Sequence, residues 1–197
     1  MSKADPASQN KERNKAIRWV VTIFFATVLI SAIISLISEE VMDISGTFTA
    51  FLILFAIIFI GIIFDVIGVA VTSADDKPFH SMAARKVPGS REAILLLKNA
   101  ERVSSICNDV VGDICGVVSG AASATIAGRI LSNFEFSWPR VITLVMSALV
   151  AGLTVGGKAI GKSFAMNSST TIVHTAGKVI AFFYRIPQAF SKKKTKR

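Results

Sequence analysis

Asp109 and Asp113 lie four residues apart in CNDVVGDICG, a stretch that opens a long apolar segment. Asp65 stands in a second apolar run, IIFDVIGVAV, and Lys158 and Lys162 stand in a third, GGKAIGKSFA. Ionisable side chains are costly in such surroundings; where they persist they pair with one another or mark an ion path. Two chemistries are open to these five residues. Carboxylates and ammonium groups can form a buried ion-pair network that fixes helix register. Alternatively, carboxylates gathered at one depth, together with backbone carbonyls, can replace the water around a cation. A lysine inside such a site puts positive charge where a divalent ion would sit. Asp113 and Lys158 are the expected pair, because Lys162 can extend its ammonium to the headgroups.

The elements that carry these residues follow from composition. Of 197 residues, 52% are hydrophobic and 18% charged, with a mean hydropathy of +0.58. A soluble domain carries about a quarter charged residues. The chain therefore reads as an all-α integral membrane protein, and four runs are long enough for a bilayer core of about 30 Å. They are residues 17–38, 47–72, 103–131 and 141–165. The first exceeds a signal-peptide core, and no small-residue cleavage site leads from it into a polar mature domain, so it reads as a span. The third is the least apolar, with Gly112, Gly116 and Gly120 at the four-residue spacing that lets another helix approach closely.

Charge sets the expected orientation. Basic residues fill the tail of residues 1–16 and the loop with Lys77, Arg85, Lys86, Arg91, Lys98 and Arg102, whereas SEEVMD has three acids and no cation. The segment SNFEFSWPR is nearly neutral and the chain ends KKKTKR. This alternation puts both termini on the cytoplasmic side of the cell membrane. Asp65, Asp113 and Lys158 then fall at one depth in the inner leaflet, with Asp109 nearby. The net charge of +9 is explained by cytoplasmic retention and anionic lipid, with no call for nucleic acid. Residues 76–102 and 170–190 read as amphipathic segments on the cytoplasmic surface. Residues 191–197 read as a lipid-binding basic tail through Lys192, Lys193, Lys194, Lys196 and Arg197.

The series FDVIGVAV, SREAILLLKNAERVSSI, GDICGVVSGAASA, GKAIGKSFA and AFFYRIP resembles the transmembrane domain of the cyclin-M/CorB/CorC magnesium-transporter family. Order and spacing agree over about 140 residues, from the second span to Pro187. In that family a Phe-Ser-x-x-Glu-type motif, a Gly-Asn motif and a Gly-Glu-x-x-Pro-Lys motif build the magnesium site. The resemblance implies a site at Asp65, Gly112, Asp113 and Lys158, an Mg2+ ion held by Asp65 and Asp113, and a homodimer joined through the glycine-rich third span. The departures are specific. Asp65 replaces the motif serine, Asp113 the asparagine, Lys158 the glutamate and Gly161 the proline, while Lys162 matches the motif lysine. The sequence also carries an extra N-terminal span and no counterpart of the family's CBS domains.

Other signals are weaker. Cys107 and Cys115 match no zinc spacing and read as reduced buried thiols. Ser104 and Ser105 read as packing residues, and Asn108 as a bond to a neighbouring helix. His80 and His174 stand alone, and Trp19 and Trp138 read as anchors at opposite membrane faces. No catalytic triad or phosphate-binding loop occurs, so an enzyme is not expected. The sequence thus points to a membrane protein that binds or moves a cation at its Asp/Lys cluster, similar to magnesium transporters. The alternative is a scaffold or accessory subunit in which the cluster is structural and the cytoplasmic face engages a protein partner or lipid.

Overall fold

The computed structural model describes the backbone of residues 6–133 and 138–194, and side chains between residues 14 and 183 except at 15, 16, 43 and 134–137. Among the described residues all regular structure is helical. In chain order the helices are α1 (Pro6–Ile44), α2 (Thr47–Ser73), α3 (Lys77–Ala84), α4 (Ser90–Lys98) and α5 (Ala100–Ser105). A π-helical segment (Ile106–Gly112) follows, then α6 (Asp113–Asn133), α7 (Pro139–Asn167) and α8 (Ser169–Lys194). Four stretches are long and apolar enough to cross a membrane: Ile17–Met42, Thr47–Ser73, Ala100–Asn133 and Pro139–Asn167. At 1.5 Å per residue even the shortest spans about 39 Å. Length and composition are those of a multi-pass membrane protein.

The glycines, prolines and polar residues set the breaks. Gly46 precedes α2, and Pro139 occupies the first turn of α7, where a missing N–H costs nothing. Asp75 accepts the Lys77 backbone N–H at 3.2 Å just before α3, and that bond holds its carboxyl below the usual range. Between α3 and α4 the chain turns through Lys86 and Gly89, both at positive φ. Gly89 has a second reason to lack a side chain: a Cβ there would meet the Lys178 backbone nitrogen at 2.6 Å. Gly177 of α8 packs against the same turn, and His174 Nε2 lies 3.2 Å from the Pro88 carbonyl oxygen.

Helix α2 is the centre of the bundle, in contact with α1, α4, α5, the π segment, α6, α7 and α8. Its two ends sit in two apolar clusters. Leu54 and Ile58 pack with Met42, Ile126 and Val150 at one end; Ala70 and Val71 pack with Phe79, Ala93, Ala165 and Val173 at the other. Lipid tails are as apolar as leucine, so within the spans close packing rather than burial from water holds the helices together. Phe79 lies beyond the spans and is fully buried; there removal from water contributes about 1.5–3 kcal/mol. Helix α1 is peripheral, joined through the fully buried Met42 near its C-terminal end, through Ile23 against Val110, Ile114 and Val118, and through Arg102, whose guanidinium lies 5.4 Å from the Trp19 ring centroid.

The expected boundaries shift in three places. The expected first span, 17–38, is the middle of a single helix running from Pro6 to Ile44. The amphipathic segment 76–102 is divided between α3, α4 and the start of α5. The expected span 103–131 is not one regular helix, because the π segment interrupts it. Of the expected lipid-binding residues, Lys192, Lys193 and Lys194 belong to the backbone of α8, while Lys196 and Arg197 lie outside the described residues.

Candidate functional site

Asp65 lies between the two apolar clusters of α2 and is 4% exposed. Helix α7 brings Lys158 to it: Nζ is 4.0 Å from Asp65 Oδ1 and 3.9 Å from Asp113 Oδ1. The same ammonium donates to the Gly112 carbonyl oxygen at 3.4 Å. Three segments thus supply oxygens around one nitrogen. The burial is graded across them: the side chain is 6% exposed for Asp65, 22% for Lys158 and 71% for Asp113. Asp65 Oδ2 is buried and has no hydrogen-bond partner among the described residues.

The backbone makes this meeting possible. Gly112 closes the π segment, and a Cβ on it would stand 3.3 Å from Lys158 Nζ. Any larger side chain would crowd the ammonium. One helical turn along α2, Gly68 receives the Asn108 carboxamide so closely that a Cβ would overlap Asn108 Oδ1. Asn108 Nδ2 donates to Ser104 Oγ at 3.2 Å, and its Oδ1 is a second buried acceptor without a partner among the described residues. The expected interhelical hydrogen bond of Asn108 is therefore replaced by a bond within its own segment. Its packing, not its bonding, reaches α2. π turns concentrate at functional sites because the extra residue per turn re-aims side chains; here Asn108 and Gly112 both meet α2.

The sequence-derived residues thus divide. Asp65, Gly112, Asp113 and Lys158 come together. Asp109 and Lys162 are exposed, and neither makes an ion pair among the described residues. Gly116 and Gly120 have open space where a Cβ would be. They line a groove of about 190 Å³ between α6 and α7, whose Ser119 and Ser123 hydroxyls donate back to the Gly116 and Gly120 carbonyls. Close approach within the chain uses other glycines: Gly61 against Cys115, Gly157 against Ile62 and Gly161 against Val66. Cys107 is buried and Cys115 half-buried, and both are free thiols. Arg129, not singled out in the sequence, donates from Nη1 to the Ser45 carbonyl at 2.9 Å and ties α6 to the α1–α2 link.

The donor set limits what the centre can hold. A cavity of about 880 Å³ between α2, α7 and α8 is apolar, lined by residues such as Phe59, Ile62, Phe64 and Ile160, and does not include Asp65, Asp113 or Lys158. Among the described residues no group of three or more His, Cys, Asp and Glu side chains converges as a metal cage. With its ammonium between Asp65 and Asp113, the centre does not fit a resident Mg2+. No family model matches the chain, and no curated protein or solved structure matches it.

Proposed function

We propose that the chain is a membrane protein similar to the cyclin-M/CorB/CorC magnesium transporters, and that it binds or moves a cation at the Asp65–Lys158–Asp113 centre. One observation carries the reading: a carboxylate buried within a span keeps one oxygen without a partner among the described residues. A group kept for structure alone would use both oxygens, because an unsatisfied buried acceptor costs about 1–3 kcal/mol. In this reading the protein lies in the cell membrane with both termini in the cytoplasm, and the centre faces the inner leaflet. The open Gly116–Gly120 groove is the surface where a second copy joins in a homodimer. The basic residues at both termini hold anionic lipid, and no enzymatic step is involved.

A second reading is favoured by a different observation. Lys158 contacts both carboxylates and the Gly112 carbonyl, which is what a register-fixing ion-pair network needs. The protein would then be a scaffold or accessory subunit with a protein partner at its cytoplasmic face. Magnesium uptake into proteoliposomes separates the two. Saturable uptake supports the first; no uptake and no saturable binding leaves the second.

A further inference from the structure

We infer that the furrow between α2, α7 and α8 is a lipid site: it holds one acyl chain of a phospholipid whose anionic headgroup sits at the α7–α8 junction. Such a site needs only that α2 and α7 cross a membrane, and it stands whether or not the Lys158 centre handles a cation.

Two apolar cavities run into each other along α2 and α7. One, of about 880 Å³, lies beside α8; the other, of about 690 Å³, continues from it through the shared Phe59, Ile62, Gly157 and Ile160. From Phe164 back to Gly152 the pair follows α7 for twelve residues, about 18 Å at 1.5 Å per residue. One leaflet of a bilayer core is about 15 Å deep, so an acyl chain matches the furrow in length. Around the larger cavity only Thr171, Thr175 and Cys107 bring a polar side-chain atom. Water finds too few partners in such a place, whereas dry apolar cavities take up apolar ligands. Gly152 and Gly156 deepen the smaller cavity, and a Cβ on either would meet nothing within 4 Å. No neighbour within the chain accounts for these two glycines.

The rim selects a thin occupant. Phe59, Ile160 and Phe164 line the furrow and are each more than half exposed. Helices meet closely in membranes through small residues. This bulky rim keeps a second helix off the floor, while a single chain of methylenes passes between the side chains.

Charge selects the headgroup. Helices α7 and α8 contain no acidic residue, and Lys162 and Lys178 adjoin the lining residues Gly161 and Val179. Neither lysine makes an ion pair among the described residues. The neighbouring α4 and α5 add Arg91, Lys98 and Arg102 against Glu92 and Glu101. Two copies meeting on this face across a twofold axis would set cation against cation. An anionic headgroup is attracted to the same place.

The test uses the purified full chain in mild non-ionic detergent and a phosphatidylglycerol with a photoactivatable diazirine in its acyl chain. Labelled residues are mapped by mass spectrometry after illumination. Labelling saturates and concentrates on Phe59, Ile160 and Phe164, well above the comparably exposed Phe24, Phe25 and Leu29 of α1. At about fivefold per neighbouring lysine, unlabelled phosphatidylglycerol displaces the probe about twentyfold better than phosphatidylcholine with the same chains. The double variant Lys162→Ser with Lys178→Ser loses that preference. Labelling spread alike over α1 and the furrow means annular lipid only and overturns the site. Furrow residues left unlabelled while α1 reacts mean that a second copy covers the face, which overturns it as well. Equal competition by the two lipids, or a preference that survives in the folded double variant, overturns the choice of an anionic headgroup. Wild-type labelling and competition decide the matter even where the double variant fails to fold. Magnesium uptake enters neither readout, so the lipid site and the cation reading fail separately.

Discussion

Asp65 on α2 and Lys158 on α7 face each other across 4.0 Å between the two apolar clusters of the bundle. The lysine reaches a second carboxylate, Asp113, at 3.9 Å, but that one is largely exposed. Stability should follow this asymmetry. Lys158→Met leaves Asp65 buried without a counter-charge and is expected to cost about 3 kcal/mol, as when one partner of a buried pair is removed. Asp113→Asn should cost less than Lys158→Met, because it removes only one of the three oxygens around the ammonium and the less buried of the two carboxylates. Adding Asp65→Asn to Lys158→Met should recover part of the loss. Unfolding in mixed detergent micelles measures all three; equal costs for Lys158→Met and Asp113→Asn would mean that the burial gradient is wrong.

How much of this was legible in the sequence depended on which coordinate was needed. Depth was: apolar runs and alternating charge place Asp65, Asp113 and Lys158 in one layer. Azimuth was not. Reading Asp109 and Asp113 as one turn apart assumes a regular helix, whereas the π segment up to Gly112 changes the phase. Asp109 consequently stands outside the cluster that Asp113 joins. The glycine pattern at Gly112, Gly116 and Gly120 was equally visible, but only Gly112 lies at a crossing within the chain. The glycines that close the bundle, Gly61, Gly68, Gly157 and Gly161, are identified only by what faces them. Arg129 escaped notice because its acceptor, the Ser45 carbonyl, is 84 residues away.

The glycines give a paired prediction. Gly68→Ala drives a methyl into the Asn108 carboxamide and should destabilise by about 1–3 kcal/mol, the usual cost of overpacking. Gly116→Ala meets open space and should stay within about 0.5 kcal/mol. Thermal unfolding of the two variants should differ accordingly, and comparable losses would refute the crossing geometry.

The open groove makes a separate claim about assembly. Gly120→Ile fills the space between α6 and α7 without touching the Lys158 centre. On the proposed homodimer it converts the purified protein to monomer by light scattering, with its fold intact by circular dichroism. An unchanged mass would remove this face as the dimer contact.

Orientation follows from the basic and acidic connections. A cysteine at Glu40, in a chain otherwise freed of thiols, should react with an impermeant maleimide added outside intact cells. Labelling only after the membrane is opened would reverse the assignment of the Asp65 layer to the inner leaflet.

The most direct test of the cation reading is magnesium entry into sealed proteoliposomes carrying an internal fluorescent indicator. The account predicts saturable entry by the wild type and its loss in Asp65→Asn, the variant that removes the buried charge while keeping the side chain's shape. No entry above protein-free vesicles, together with no saturable Mg2+ binding by the purified protein, would contradict it.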